Sequence, residues 1–150
     1  MAMRECLGTL ALLLLISCTP DRYAGEWTLC LIDSLGRRAC STAVVHRGRP
    51  IGEGLRYSHY HRVAYDLPLD SLAGTVSAHL SGCGSLLTDQ AGLVEVQLGL
   101  ANCASLFDAD GGSIVAPELQ ESGDTLSGAW YQSCYAACPA SGALAMVRHP

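Results

Sequence analysis

Residues 26–31, Glu26-Trp27-Thr28-Leu29-Cys30-Leu31, set the large apolar side chains Trp27, Leu29 and Leu31 against Glu26, Thr28 and Cys30. Successive side chains of a strand point to opposite faces, so this period of two predicts a half-buried strand. Residues 94–100 repeat it, with Val94, Val96, Leu98 and Leu100 alternating with Glu95, Gln97 and Gly99. Beyond the amino-terminal apolar run no stretch carries a helical stripe, and sixteen glycines punctuate the chain too often for long helices. The fold class that follows is all-β: a small antiparallel β-barrel or sandwich with disulfides, placed after an N-terminal signal peptide.

The turns between the strands share a grammar. Asp70-Ser71-Leu72-Ala73-Gly74 and Asp124-Thr125-Leu126-Ser127-Gly128 fit D-[ST]-L-x-G, and Asp33-Ser34-Leu35-Gly36 is a shortened relative. In the longer pair, Asp closes a turn, Leu starts the inward face of a strand, and Gly permits a bend or close backbone approach. Asp33 to Gly36 reads as the turn of a hairpin joining residues 25–32 to 38–46. The uneven spacing excludes a solenoid.

The amino terminus carries one arginine in its first five residues and an apolar run from Leu7 to Ile16, then meets Thr19, Pro20, Asp21 and Arg22. This is the order of an export signal, and the run is too short to span a bilayer. Leu15-Ile16-Ser17-Cys18 resembles the lipobox of bacterial lipoproteins. The resemblance implies cleavage before Cys18, with diacylglycerol on its sulfur and usually an acyl group on the new amino terminus. Thr19 stands where that family's inner-membrane retention signal has aspartate, which implies sorting to an outer membrane if the cell has one. The expected organisation is a signal peptide over 1–17, a lipidated tether over 18–24, and a single β-rich domain over 25–150.

Cysteine usage agrees with export. Of eight cysteines, Cys6 leaves with the signal and Cys18 takes the lipid, leaving Cys30, Cys40, Cys83, Cys103, Cys134 and Cys138. An even set in an exported domain reads as disulfides, although six cysteines allow fifteen connectivities. The pairs Cys30 with Cys40, Cys83 with Cys103 and Cys134 with Cys138 are favoured, because each flanks a reversal of the chain. The last pair requires a tight turn or one helical turn, since extended strand holds positions four apart beyond disulfide reach.

A formal charge of −5 argues against nucleic-acid binding. The charge is unevenly spread: Arg37, Arg38, Arg47, Arg49, Arg56 and Arg62 crowd one stretch, whereas residues 63–147 hold no basic side chain except histidine. The first expectation is intramolecular, with basic and acidic strands alternating around one surface. The second makes the arginine stretch a contact for lipid headgroups or anionic glycans.

Chemistry is sparse. His59-Tyr60-His61 on a strand would put Tyr57, His59, His61, Val63 and Tyr65 on one face, and two imidazoles so placed can bind zinc if His46, His79 or Asp66 supplies a third ligand. Asp108-Ala109-Asp110-Gly111-Gly112 opens like a calcium loop, but Ser113 and Leu119 fall where that loop requires glycine and a bidentate carboxylate, so a turn is expected. The motifs G-x-S-x-G, H-E-x-x-H and G-x-x-x-x-G-K-[ST] are absent from the sequence.

Gly25-Glu26-Trp27 near the mature start, Gly128-Ala129-Trp130 near its end and a last strand over residues 143–148 resemble the small lipocalin-like barrels and META-like domains of bacterial lipoproteins. That resemblance implies a closed or nearly closed antiparallel sheet, although the chain is short for a true lipocalin and lacks its full motif set. The functional expectation is a membrane-anchored envelope lipoprotein with a non-enzymatic binding or structural domain and no cofactor beyond the lipid on Cys18. Its partners would be membrane lipid through the anchor and an envelope protein, glycan or small apolar ligand. A zinc-binding module at His59 and His61 is the alternative, and a hydrolase the third.

Overall fold

The computed structural model describes residues 20–52, 55–68, 72, 82–99, 113–133 and 140–150. Nine strands follow in order: β1 Gly25–Asp33, β2 Arg38–Val45, β3 Arg49–Pro50, β4 His59–Tyr65, β5 Cys83–Thr88, β6 Val94–Leu98, β7 Ile114–Ser122, β8 Thr125–Gln132 and β9 Ser141–Arg148. β1 pairs with β2, β2 with β4, and each later strand with its successor until β9 returns to β1. Apart from the short β3 beside β4, the result is an eight-stranded antiparallel barrel closed as an up-and-down meander. Closure leaves no sheet edge for another chain to extend.

The alternation in the sequence sets which side chains turn inward. Trp27, Leu29 and Leu31 are buried on β1, Val94, Val96 and Leu98 on β6, and Leu126 and Trp130 on β8. They join Val63, Leu86, Ile114, Leu144 and Met146 in one core, so the lumen is filled by the barrel's own side chains. The outward positions include Glu26, Arg38, Thr42, Arg62, Gln120 and Ser127, all exposed. An apolar inside and a polar outer wall suit a barrel surrounded by water.

β7 departs from simple alternation. Ile114 and Ala116 face the core, yet the next inward residue is Leu119, and the register with both neighbours shifts across this stretch. Pro117 lies inside the shift, where its missing N–H costs no ladder bond. The bulge changes the phase of β7 and returns Leu119 to the interior.

The hairpin expected at Asp33 is present. Its buried carboxylate accepts the amides of Leu35 at 2.9 Å and Arg37 at 2.8 Å and the Nε of Arg37 at 2.7 Å. Leu126 is inward, and a Cβ on Gly128 would lie 2.9 Å from Leu119 Cδ2 and 3.0 Å from Glu118 O, so β7 and β8 approach there as only glycine allows. Cys30 and Cys40 are directly opposed between β1 and β2 and form a disulfide with alpha carbons 4.1 Å apart. Cys83 is also disulfide-bonded, its partner lying outside the described residues.

Candidate functional site

One end of the barrel gathers the start of β1, the end of β2, the start of β4 and the end of β9. Residues 20–24, the described part of the expected tether, fold across it as a plug. Tyr23 is buried, because a large aromatic ring gains about 2 kcal/mol by leaving water. Its carbonyl accepts the indole N–H of Trp27 at 2.9 Å, and its hydroxyl donates to Glu121 at 3.3 Å. From the other side Arg148 donates to the carbonyls of Arg22 at 2.7 Å and Ala24 at 3.2 Å. Arg22 and Glu121 add a surface ion pair at 3.1 Å, worth little alone.

The centre of the plug is Asp21. Its carboxylate accepts the amide of Gly48 at 2.6 Å and that of Tyr23 at 3.1 Å, and both oxygens lie 3.1 Å from His61 Nε2. Burial pushes the Asp21 carboxyl up, but the two amides and the His61 ring outweigh it and hold the group below the usual carboxylate range. His61 is buried on the inward face of β4, packed edge-on to Tyr23 with ring centroids 5.5 Å apart. Its Nδ1 lies 3.3 Å from the Leu86 carbonyl. Gly48 is required here because a Cβ would sit 2.5 Å from His61 Nε2.

This arrangement bears on the chemistry expected of the His59 and His61 pair. Both ring nitrogens of His61 face acceptor oxygens, which leaves neither directed at a nucleophile or a metal. His59, at the strand's exposed end, contacts Ser58 Oγ at 3.1 Å. His46 meets Arg62 on the outer wall at 3.0 Å, and Asp66 is exposed at the opposite end of β4. Among the described residues no three histidine, cysteine or carboxylate side chains converge as a metal site. His61, Val63 and Tyr65 share the inward face as expected. Tyr57 does not, because it precedes the strand and packs outside the barrel.

That outer position creates a second, smaller core. Tyr57, Tyr60 and Leu87 are buried together with Ile51 and Leu93 against them. The Tyr57 hydroxyl donates to Glu95, whose other oxygen accepts Gln97 Nε2 at 2.6 Å. Burial and the Glu95 carboxylate push the Tyr57 phenol well up, so it stays a donor. Arg56 lies over the Tyr57 ring at 5.3 Å. Arg49 is directly opposed to Tyr60; burial pushes the Tyr60 phenol up, partly offset by the Arg62 and Arg49 guanidinium groups.

The basic stretch expected to face acidic strands forms few ion pairs among the described residues. Among the described residues the arginine ion pairs are Arg22 with Glu121 and Arg37 with Asp33. Arg47, Arg49, Arg56 and Arg62 are exposed and make none. Three described carboxylates nearby have other partners: Asp21 has His61 and two amides, Glu95 has Tyr57 and Gln97, and Asp89 accepts the Leu93 amide at 2.8 Å.

Trp27 and Trp130 are core residues, the latter donating to the Ile32 carbonyl at 3.1 Å, while Tyr131 is exposed. Asp21, Tyr23 and Gly48 were missed by sequence reasoning. The available signal was Tyr23 itself, a large aromatic in a segment read as a solvated tether. Cys18, Cys103, Cys134, Cys138, His79, Tyr135 and the 108–112 turn lie outside the described residues. Comparison with protein-family models, with curated proteins and with solved structures finds no match.

Proposed function

We propose that the chain is a lipid-anchored lipoprotein of the bacterial cell envelope, sorted to the outer membrane where the cell has one. Its barrel is a non-enzymatic binding or structural module. The observation that supports this most directly is where the chain enters the fold. Pro20 begins the plug, and Cys18 at the end of the lipobox-like Leu15-Ile16-Ser17-Cys18 is only two positions upstream. All the described strands and residues 20–24 lie downstream of Cys18, so cleavage before that residue leaves them intact.

The filled lumen supports binding at the outer wall or the loops rather than in a central cavity. An envelope protein, a glycan or a small apolar molecule is the partner class such a surface serves. Anchoring is tested by Cys18→Ser in the native host with a labelled fatty acid. The variant should lose the label and, once charge-held protein is stripped by a high-salt wash, leave the membrane fraction. Retention of label, or unchanged fractionation after that wash, overturns the proposal.

A further inference from the structure

We propose that the outer wall beside the plug, carrying Arg47, Arg49, Arg56 and Arg62 with Leu55, docks on the anionic phospholipid headgroups of the membrane that holds the chain. The orientation rests on the lipoprotein reading above; the binding itself does not.

The first observation is adjacency. Gly48, whose amide holds Asp21, lies between Arg47 and Arg49, so the basic segment touches the point where the chain runs toward Cys18. Covalent geometry limits the span from the alpha carbon of Pro20 to that of Cys18 to about 7 Å. A lipid on that sulfur therefore brings this barrel end to within about one Debye length of the headgroups, a range over which charge is felt.

The second observation is the charge of these four arginines, which forms no ion pair among the described residues. Three described carboxylates nearby are held by amides, Tyr57, Gln97 and His61. Arg49, Arg56 and Arg62 lie beside one outer cluster: Arg56 stands over the Tyr57 ring, Arg49 is opposed to Tyr60 across β3 and β4, and Arg62 is two positions from Tyr60 on the same face of β4. A protein of formal charge −5 is repelled by an anionic surface in most orientations. Turning this wall to the membrane reverses the sign locally.

The third observation is Leu55, 52 % exposed and next to Arg56. An exposed leucine next to an arginine matches the headgroup boundary, where the guanidinium meets phosphate and the leucine meets the acyl margin.

The test uses the mature chain, residues 18–150, with Cys18→Ser so that no acyl chain contributes. Cosedimentation is measured with vesicles of phosphatidylcholine alone and of phosphatidylcholine with phosphatidylglycerol in equal parts. Binding is expected to the second only, and to weaken as salt is raised. Arg47→Gln, Arg49→Gln and Arg56→Gln together should weaken it about a hundredfold, since each arginine near such a surface contributes roughly a factor of five. The same three positions changed to Lys should keep it, and Arg38→Gln at the far end of β2 should leave it unchanged. Circular dichroism verifies that each variant is folded. Equal partition onto both vesicles, an unaffected glutamine variant, a lysine variant that fails as the glutamine one does, or binding to an acidic polysaccharide without binding to the anionic vesicles overturns the proposal. The acyl label on Cys18 reports the anchor alone and these vesicles report the arginines alone, so the two failures are distinct.

Discussion

Removing the Asp21 carboxylate should open the plug, and its size can be worked from the contacts. Ordering the five residues 20–24 costs about 6 kcal/mol. Against this stand about 2 kcal/mol for burying Tyr23, about 3 kcal/mol for the bonds from Trp27 and Arg148, and about 4 kcal/mol for the bonds to the Asp21 carboxylate from Gly48, Tyr23 and His61. The gains reach about 9 kcal/mol and the net is about 3 kcal/mol. Asp21→Ala takes away about as much as that net, so the loss in global stability is limited to about 2 to 3 kcal/mol: beyond it the segment detaches rather than straining the barrel. For a mature domain of this size the melting temperature should fall by about 10 °C. Urea unfolding measures the global loss, and acrylamide quenching measures the local one, because Trp27 loses its Tyr23 cover while Trp130 remains buried. A double cycle with His61→Ala should give a coupling well above 0.5 kcal/mol, the level at which independent sites add. A loss below about 0.5 kcal/mol with Trp27 still shielded would refute the latch.

Acid should act at the same place. Because the folded Asp21 carboxyl titrates below its unfolded value, its contribution is complete above about pH 4 and is lost as pH falls through the lower folded value, so the stability gap between the native chain and Asp21→Asn should close in that range. Gly128→Ala should cost about 1 to 3 kcal/mol in urea unfolding, because its Cβ would meet Leu119 and the Glu118 carbonyl; a neutral result contradicts the close approach. Replacing Cys30 and Cys40 with serine opens a short hairpin loop and should cost about 2 to 3 kcal/mol, read as the difference between oxidised native chain and variant.

Local features of this fold were legible in the sequence; of the long-range ones, closure of the sheet was expected and is present, but its register and the plug were not legible. The period of two at Trp27, Leu29 and Leu31 and at Val94, Val96 and Leu98 marks inward faces because a strand's side-chain geometry is local. The Asp33 turn was readable for the same reason, since its carboxylate binds amides within four residues. Closure of β9 on β1 pairs Trp27 with Arg148, and nothing near either residue encodes the other. The plug failed in the same way: Asp21 and His61 are forty positions apart, and an aspartate in a polar run looks solvated until its partner is placed. Strict alternation puts Tyr57 on the face of His61, Val63 and Tyr65 only if it is extended past the start of β4, where the backbone is no longer strand. The phase change at Pro117 is visible only through the register of its neighbours.

Joining the last strand to the first also orders events as the chain emerges into the compartment where it folds. β1 emerges first of the strands and β9 last, so one side of β1 waits for a mate until the others have appeared. The β1–β2 hairpin and its Cys30–Cys40 bond need no later residue and can be completed first once the surroundings are oxidising. A chain stopped before residue 141 would present open flanks on both β1 and β8. Such an incomplete product would be a ready template for clumping, which makes β9 the safeguard of the barrel.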